Sequence, residues 1–273
     1  MKYEPFIRLG CFFTVLILLA VWERAAPRRR LAASKPLRWF SNLGLVAINS
    51  VCIRLAFALG AVGIAIEAQS LRWGLFNNVN VPGWLAFIAS VLALDLAIYL
   101  QHVLFHAVPA LWRLHMVHHA DPDFDVTTGL RFHTIEIAIS MGLKVAAIIL
   151  LGAPPLAVLT FEILLNATSL FNHSNIAMPA WLDRGLRLFV VTPDMHRVHH
   201  STIPHETNSN FGFNLPWWDY LLGTYRAQPA AGHEKMDIGL TQIDAQQAVR
   251  LHWMLALPFV RGPGSYPINR KRD

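Results

Sequence analysis

The sequence predicts an all-α integral membrane protein of about four to five transmembrane or re-entrant helices, with a helical cap on the cytoplasmic side. Three observations predict it: a composition too apolar for a soluble body, a series of apolar runs of bilayer length, and histidines clustered at helical spacing beside those runs. Of 273 residues, 54% are hydrophobic and 15% charged, against about 45–50% and about 25% in soluble globular chains. Mean hydropathy is +0.39. Too little polar surface remains to cover a water-soluble body of this size. The net charge of +6 would suit a nucleic-acid binder, but Arg24, Arg28, Arg29, Arg30, Lys35 and Arg38 follow directly on the first apolar run. Cytoplasmic loops of membrane proteins look like this, so anionic headgroups are the expected partner and nucleic acid is not. Cys11 and Cys52 both lie in apolar stretches, which argues against a disulfide framework or a cysteine metal site.

The runs divide the chain in order. Phe6–Trp22 is long enough to span a bilayer. It is followed by Glu23, Arg24 and a basic cluster rather than a small-residue cleavage pattern, so it reads as a retained signal anchor. The second run, Leu43–Ile66, is interrupted by Arg54. A central arginine costs about 2.5–3.5 kcal/mol on insertion scales, so this span is either poor or one whose Arg54 faces protein or water. Trp84–Leu100 is the third run, carries Asp95 and Tyr99, and leads straight into the first histidines. Ile135–Phe171 is too long for one span, and Pro154 and Pro155 divide it near the middle, predicting a helical hairpin. A mixed, aromatic-rich segment follows to Arg226, then a polar stretch (Ala227–Val249), an apolar patch (Leu251–Val260) and the basic end Arg270–Lys271–Arg272. The expected organisation is an N-terminal anchor region (1–83), a central histidine-bearing domain (84–226) and a tail (227–273). If the Arg24–Arg38 loop is cytoplasmic, counting spans puts both histidine regions on the cytoplasmic face.

Eight of the 13 histidines fall in three short clusters. His102 and His106 form H-x-x-x-H; His115, His118 and His119 form H-x-x-H-H, as do His196, His199 and His200. Residues i, i+3 and i+4 share one side of a helix, so each cluster can aim two or three imidazoles at a common point. Thr192–Pro193 reads as an N-cap and N1 proline, starting a helix just before His196. Neutral imidazole is the commonest side-chain metal ligand. Eight nitrogens exceed the four of a tetrahedral zinc site and suit two ions with open positions. An all-nitrogen set favours iron, copper or zinc over magnesium or calcium. His133 and His173 stand level with the clusters and are further candidate ligands, whereas His233 and His252 are isolated. Asp95, Asp121, Glu136, Asp194 and Asp219, with His205, are candidates to orient the ligand rings through their N–H groups. The Pro216–Trp217–Trp218–Asp219–Tyr220 run reads either as the mouth of a lipid pocket or as a membrane-interface belt.

The order of the three boxes, with a hydrophobic hairpin between the second and third, resembles the fatty acid hydroxylase / sterol desaturase superfamily. The resemblance covers roughly residues 92–225. Arg131–Phe132–His133, Asn172–His173–Ser174–Asn175, Glu206–Thr207–Asn208–Ser209–Asn210–Phe211–Gly212, Pro216–Trp217–Trp218–Asp219 and Leu222–Gly223–Thr224–Tyr225 look like its bacterial, sterol desaturase branch. Alkylglycerol monooxygenase is a more distant similarity. The resemblance implies a non-haem centre of two iron ions that activates O2 and hydroxylates or desaturates a lipid, with zinc able to replace iron in purified protein. It implies as ligands His102, His106, His115, His118, His119, His196, His199 and His200, with His173 and His133 completing the set. Many hydroxylases of this group have a second H-x-x-x-H before the last box, where this chain has only His173. It also implies the bacterial inner membrane and a separate electron donor that is cytochrome b5-, ferredoxin- or reductase-like, since no cytochrome b5-like segment is fused here. Two rivals read differently. A membrane zinc hydrolase would need few ligands and a general base, yet no H-E-x-x-H occurs. A metal transporter would place its ligands at mid-membrane depth, whereas these flank the spans, and a haem electron carrier would show a Soret band when purified.

Overall fold

The computed structural model describes residues 3–269; the basic end Arg270–Lys271–Arg272 lies outside the described residues. The first five helices are α1 (Glu4–Ala25), α2 (Lys35–Ala56), α3 (Gly60–Ser70), α4 (Gly83–Ala107) and α5 (Pro109–His119). They are followed by α6 (Thr134–Leu151), α7 (Pro155–Asn172), α8 (Ala180–Leu186), α9 (Pro193–His199) and α10 (Pro204–Thr207). The last three are α11 (Trp217–Leu222), α12 (Ala245–Ala248) and α13 (Leu251–Val260). Among the described residues, five helical stretches are long and apolar enough to cross a bilayer: α1, the α2–α3 stretch, α4, α6 and α7. An 18-residue helix such as α6 rises about 27 Å, close to the roughly 30 Å hydrocarbon core.

α3, α4, α6 and α7 form the packed centre, with α1 laid on α7 and α2 on α6. Leu94, Ile98, Met141, Ile148, Val158 and Phe161 meet there. The outward faces are the reverse of a soluble protein's: Phe6 and Leu150 are each 74% exposed and Leu18 64%. Those side chains need a lipid surround. The hairpin forms where the two prolines predict it. Gly152 closes α6 at φ 63° in the left-handed region, where a Cβ would come within 2.8 Å of the Trp73 carbonyl, and Pro155 opens α7. The second apolar run folds as two helices within one candidate span, since α2 ends at Ala56 and α3 restarts at Gly60 (φ 64°). Arg54 lies in the last turn of α2 and points outward, at the helix end whose dipole favours a cation.

The loop arginines differ from expectation. Arg38 is fully buried and grips Asp121 through two nitrogens, 2.8 and 2.9 Å, and Asp125 at 2.7 Å. Arg28 meets Asp194 and Glu234, and Arg29 donates to the Met236 carbonyl at 2.7 Å. These three are internal braces and Arg24 and Arg30 stay exposed, because a guanidinium can satisfy several acceptors at once. The anchor region and the tail both pack into the central body: Pro27 bridges to Ile176, and α13 lies on α5 and α2.

Candidate metal centre

The histidines sit at one end of the bundle on helix ends. His102 and His106 occupy the end of α4, and α5, opening at Pro109 immediately after it, carries His115, His118 and His119. His173 is the C-terminal cap residue of α7. α9 starts where Thr192–Pro193 predicts, the Thr192 side chain accepting from the Met195 amide, and presents His196, His199 and its cap residue His200.

Nine rings, none more than 4% exposed, form two adjoining groups. One holds His102, His106, His115, His119 and His199; the other holds His118, His173, His196 and His200. Within each group the ligand atoms lie within 4.8 Å of one another. The two groups touch, with the His119 and His200 rings 4.6 Å apart. Each cluster aims two of its rings at one group, and in each H-x-x-H-H box the third ring faces the other group. His115 and His119 face the first group and His118 the second, while His196 and His200 face the second and His199 the first. At about 100° per residue, positions i and i+4 diverge by only ~40°, but i+3 and i+4 stand ~100° apart. An H-x-x-H-H box therefore straddles two points.

Hydrogen bonds set the ring tautomers. His102 Nδ1 lies 2.8 Å from the Phe211 carbonyl, His173 Nδ1 2.8 Å from that of Ser169, and His199 Nδ1 2.7 Å from that of Ser209. His115 Nδ1 meets Glu136 Oε1 at 2.6 Å and His106 Nδ1 meets Asn208 Oδ1 at 3.0 Å. Each acceptor holds the proton on Nδ1 and leaves the Nε2 lone pair inward. The consequence is sharpest for His102 and His115, whose Nε2 atoms then face each other as lone pairs at 3.1 Å. Two lone pairs so placed repel unless a cation sits between them. His106 Nε2, His199 Nε2 and both nitrogens of His119 and His200 are buried without a hydrogen-bond partner among the described residues. Burial holds His118, His119, His196, His199 and His200 well below the usual histidine range, and His173 down to about 3. The inward-facing nitrogens without partners, gathered in two groups, fit a pair of metal ions.

Glu136, named in the sequence as one acid among several, is the carboxylate that reaches a clustered ring among the described residues. Asn208 and the carbonyls of Ser169, Ser209 and Phe211 carry no composition signal, although Asn208–Phe211 lies inside the Glu206–Gly212 motif. Glu136→Gln is expected to lower metal affinity by about 10–100-fold, read by competition with a chromophoric chelator.

His133 stands outside both groups. It is the N-cap of α6, its Nδ1 accepting from the Ile135 amide while Nε2 lies 3.2 Å from the Leu255 carbonyl. Capping turns the ring toward backbone, away from the centre. His133→Ala is expected to keep full metal content on elemental analysis while costing about 1 kcal/mol of stability. The other orienting candidates act elsewhere. Asp95 accepts from Trp218 Nε1 (2.8 Å) and the Leu215 amide, joining α4 to the segment before α11. Asp194 pairs with Arg197 and Arg28, and His205 is exposed. Asp121 holds Arg38. Asp219 works at one remove: it accepts from the Phe211 and Gly212 amides, both 2.8 Å, bracing the strand of backbone whose carbonyl meets His102.

A cavity of about 480 Å³ begins at His102 and His115 and runs between α1, α2, α4, α6 and α7. Phe105, Phe132 and Phe213 wall the end beside the histidines. Trp217 and Trp218 do not line it; Trp217 instead donates to the Leu188 carbonyl at 2.7 Å.

The family profile described as fatty acid hydroxylase matches residues 87–224. The chain is 29% identical to ornithine lipid hydroxylase OlsE of Rhizobium tropici over 256 residues, covering 92% of this chain and 75% of that one. It is 27% identical to alkylglycerol monooxygenase of Xenopus tropicalis, covering 84% of this chain and 48% of that protein. Human cholesterol 25-hydroxylase is 32% identical over 50% of this chain and 49% of its own length. The chain thus spans about half the length of these last two relatives. No solved structure gives a significant match.

Proposed function

The chain belongs to the fatty acid hydroxylase family, and from that premise we propose that it is a membrane-embedded di-iron oxygenase that uses O2 to hydroxylate or desaturate a lipid. The observation that carries this reading is the pair of adjoining, buried, all-nitrogen groups at the end of an apolar cavity. His102, His106, His115, His119 and His199 would hold one ion, and His118, His173, His196 and His200 the other. Iron bound there supplies activation of O2 and removal of hydrogen from an unactivated C–H bond.

The remaining work belongs to the chain's own residues. Glu136, Asn208 and the three carbonyls keep the ring protons on Nδ1, so that the Nε2 atoms stay available. Phe105, Phe132 and Phe213 exclude water around the end of the cavity where the substrate carbon lies. His102 and His115 mark that end, so the carbon to be oxidised lies against the first group. α1 packs on α7 and α2 on α6, while α1 and α2 are not a closely packed pair. Phe12 of α1 and Val46 and Ile53 of α2 all line the cavity, so a lipid enters between these two helices from the bilayer. The histidine end faces the cytoplasm in the bacterial inner membrane, where a separate cytochrome b5-, ferredoxin- or reductase-like donor supplies electrons.

The test is elemental analysis of the purified protein with lipid mass spectrometry of a deletion strain, with and without O2. Two iron ions per chain, and a lipid that gains one oxygen atom or loses two hydrogens only when the gene and O2 are both present, are expected. Unaltered lipids together with a metal-free protein would sink the proposal.

A further inference from the structure

The far end of the same cavity is charged. Arg8 of α1, Lys144 of α6 and Glu162 of α7 line it, each within a candidate span. Glu162 lies eleven residues before His173, a rise of about 16 Å along the helix. That distance is roughly half the hydrocarbon thickness. Ionisable side chains at such depth are costly to insert, and they mark substrate or ion sites when they face a cavity.

The pairing of the three groups leaves donors of Lys144 unfilled. Glu162 gives one oxygen to Arg8 and the other to Lys144. Arg8 is also tied at Nε to Glu4 Oε1, 2.8 Å away, and Glu4 is not part of the cavity wall. At this end two cations and one carboxylate face the cavity, with Glu4 pairing Arg8 from outside the wall and Glu136, the other carboxylate of the lining, held against His115 at the opposite end. The Lys144 ammonium has three donors, and Glu162 is its only hydrogen-bond partner among the described residues. Two polar side chains join them on an otherwise largely apolar wall: Gln101 donates to Ser140 Oγ at 2.7 Å, and both line the cavity.

Resting on the oxygenase reading above, we propose that this end of the cavity binds the anionic head of an acyl lipid, a carboxylate or phosphate, through Lys144 with Arg8 beside it. The tail then extends toward His102 and His115. A neutral amphiphile of the same length leaves the Lys144 donors unanswered in a low-dielectric site, which is what makes the discrimination effective. The depth of the pair also sets which carbon reaches the histidines, because head and centre are about 16 Å apart along the bundle.

Equilibrium binding to the full-length protein in neutral detergent separates this proposal from the chemistry. The probes are hexadecanoate, hexadecyl phosphate and hexadecanol, which share a tail and differ in head. At least one anionic probe is expected to bind about tenfold or more tightly than hexadecanol, and the tighter of the two identifies the head. Lys144→Gln should erase the preference and Lys144→Arg should restore it, with metal content equal in all three proteins as the check on folding. Equal binding of the three probes to the natural protein, or a preference that survives Lys144→Gln, overturns the proposal. Neither result touches the oxygenase reading, which stands or falls on metal content and O2-dependent turnover.

Discussion

His118→Ala and His199→Ala are each expected to abolish turnover while removing different metal ions. The two residues lie in neighbouring boxes but in separate groups: His118 faces His173, His196 and His200, and His199 faces His102, His106, His115 and His119. Losing a ligand costs more than the roughly 10–100-fold seen when only a partner of a ligand is removed. Each variant should therefore fall from two ions per chain toward one, with product below detection. The complementary result comes from the double variant, which should bind neither ion. Elemental analysis beside a single-turnover assay reads both. Full turnover by either single variant would refute the ligand assignment, and loss of both ions from each would show that the groups fold as one unit.

Arg38→Met should be the most destabilising change outside the histidines. Arg38 reaches from α2 into the loop that follows the second box, and its guanidinium is the partner of two fully buried carboxylates, Asp121 and Asp125. Burial alone would raise the Asp121 carboxyl, but Arg38 and Arg131 hold it below the usual carboxylate range. Breaking a buried pair from one side costs about 3–5 kcal/mol, because the remaining charges are left without a partner. The apparent melting temperature in detergent should fall by roughly 10 °C. Arg38→Lys keeps one charge but not the fork that meets Asp121 through two nitrogens, so it should recover only part of the loss. Since Asp121 directly follows His118, His119 and Ala120, metal retention should weaken with stability. An unchanged melting temperature in Arg38→Met would show that the loop is held by other contacts.

Much of this protein was legible in its sequence because the relevant signals are local. Apolar runs of spanning length, the Pro154–Pro155 break and the Thr192–Pro193 helix start each depend on neighbours a few residues away, and the structure has all three. The histidine boxes were equally plain, since three clusters at helical spacing have few structural explanations. Reading failed where one residue type serves two ends. Arg38 looked like its neighbours in a basic membrane loop, yet it is the arginine that two distant aspartates enclose. His133 looked like a ligand because it stands level with the others in the chain, but its place at the start of α6 commits it to backbone. Glu136 was one carboxylate among five until the fold set it against His115.

The sequence by itself determined that this chain is helical, bilayer-embedded and able to gather many imidazoles at one end of its spans. The length of an apolar run and the spacing of rings act over a single helix and need no partner to be read. Only the tertiary structure decided how the nine rings divide between two centres, which acceptors hold their protons, and that α1, α6 and α7 bring Arg8, Lys144 and Glu162 to one wall. Those outcomes depend on how helices far apart in the chain rotate and slide against each other. Such angles are set by the packing of many side chains together, and no short stretch of residues encodes them.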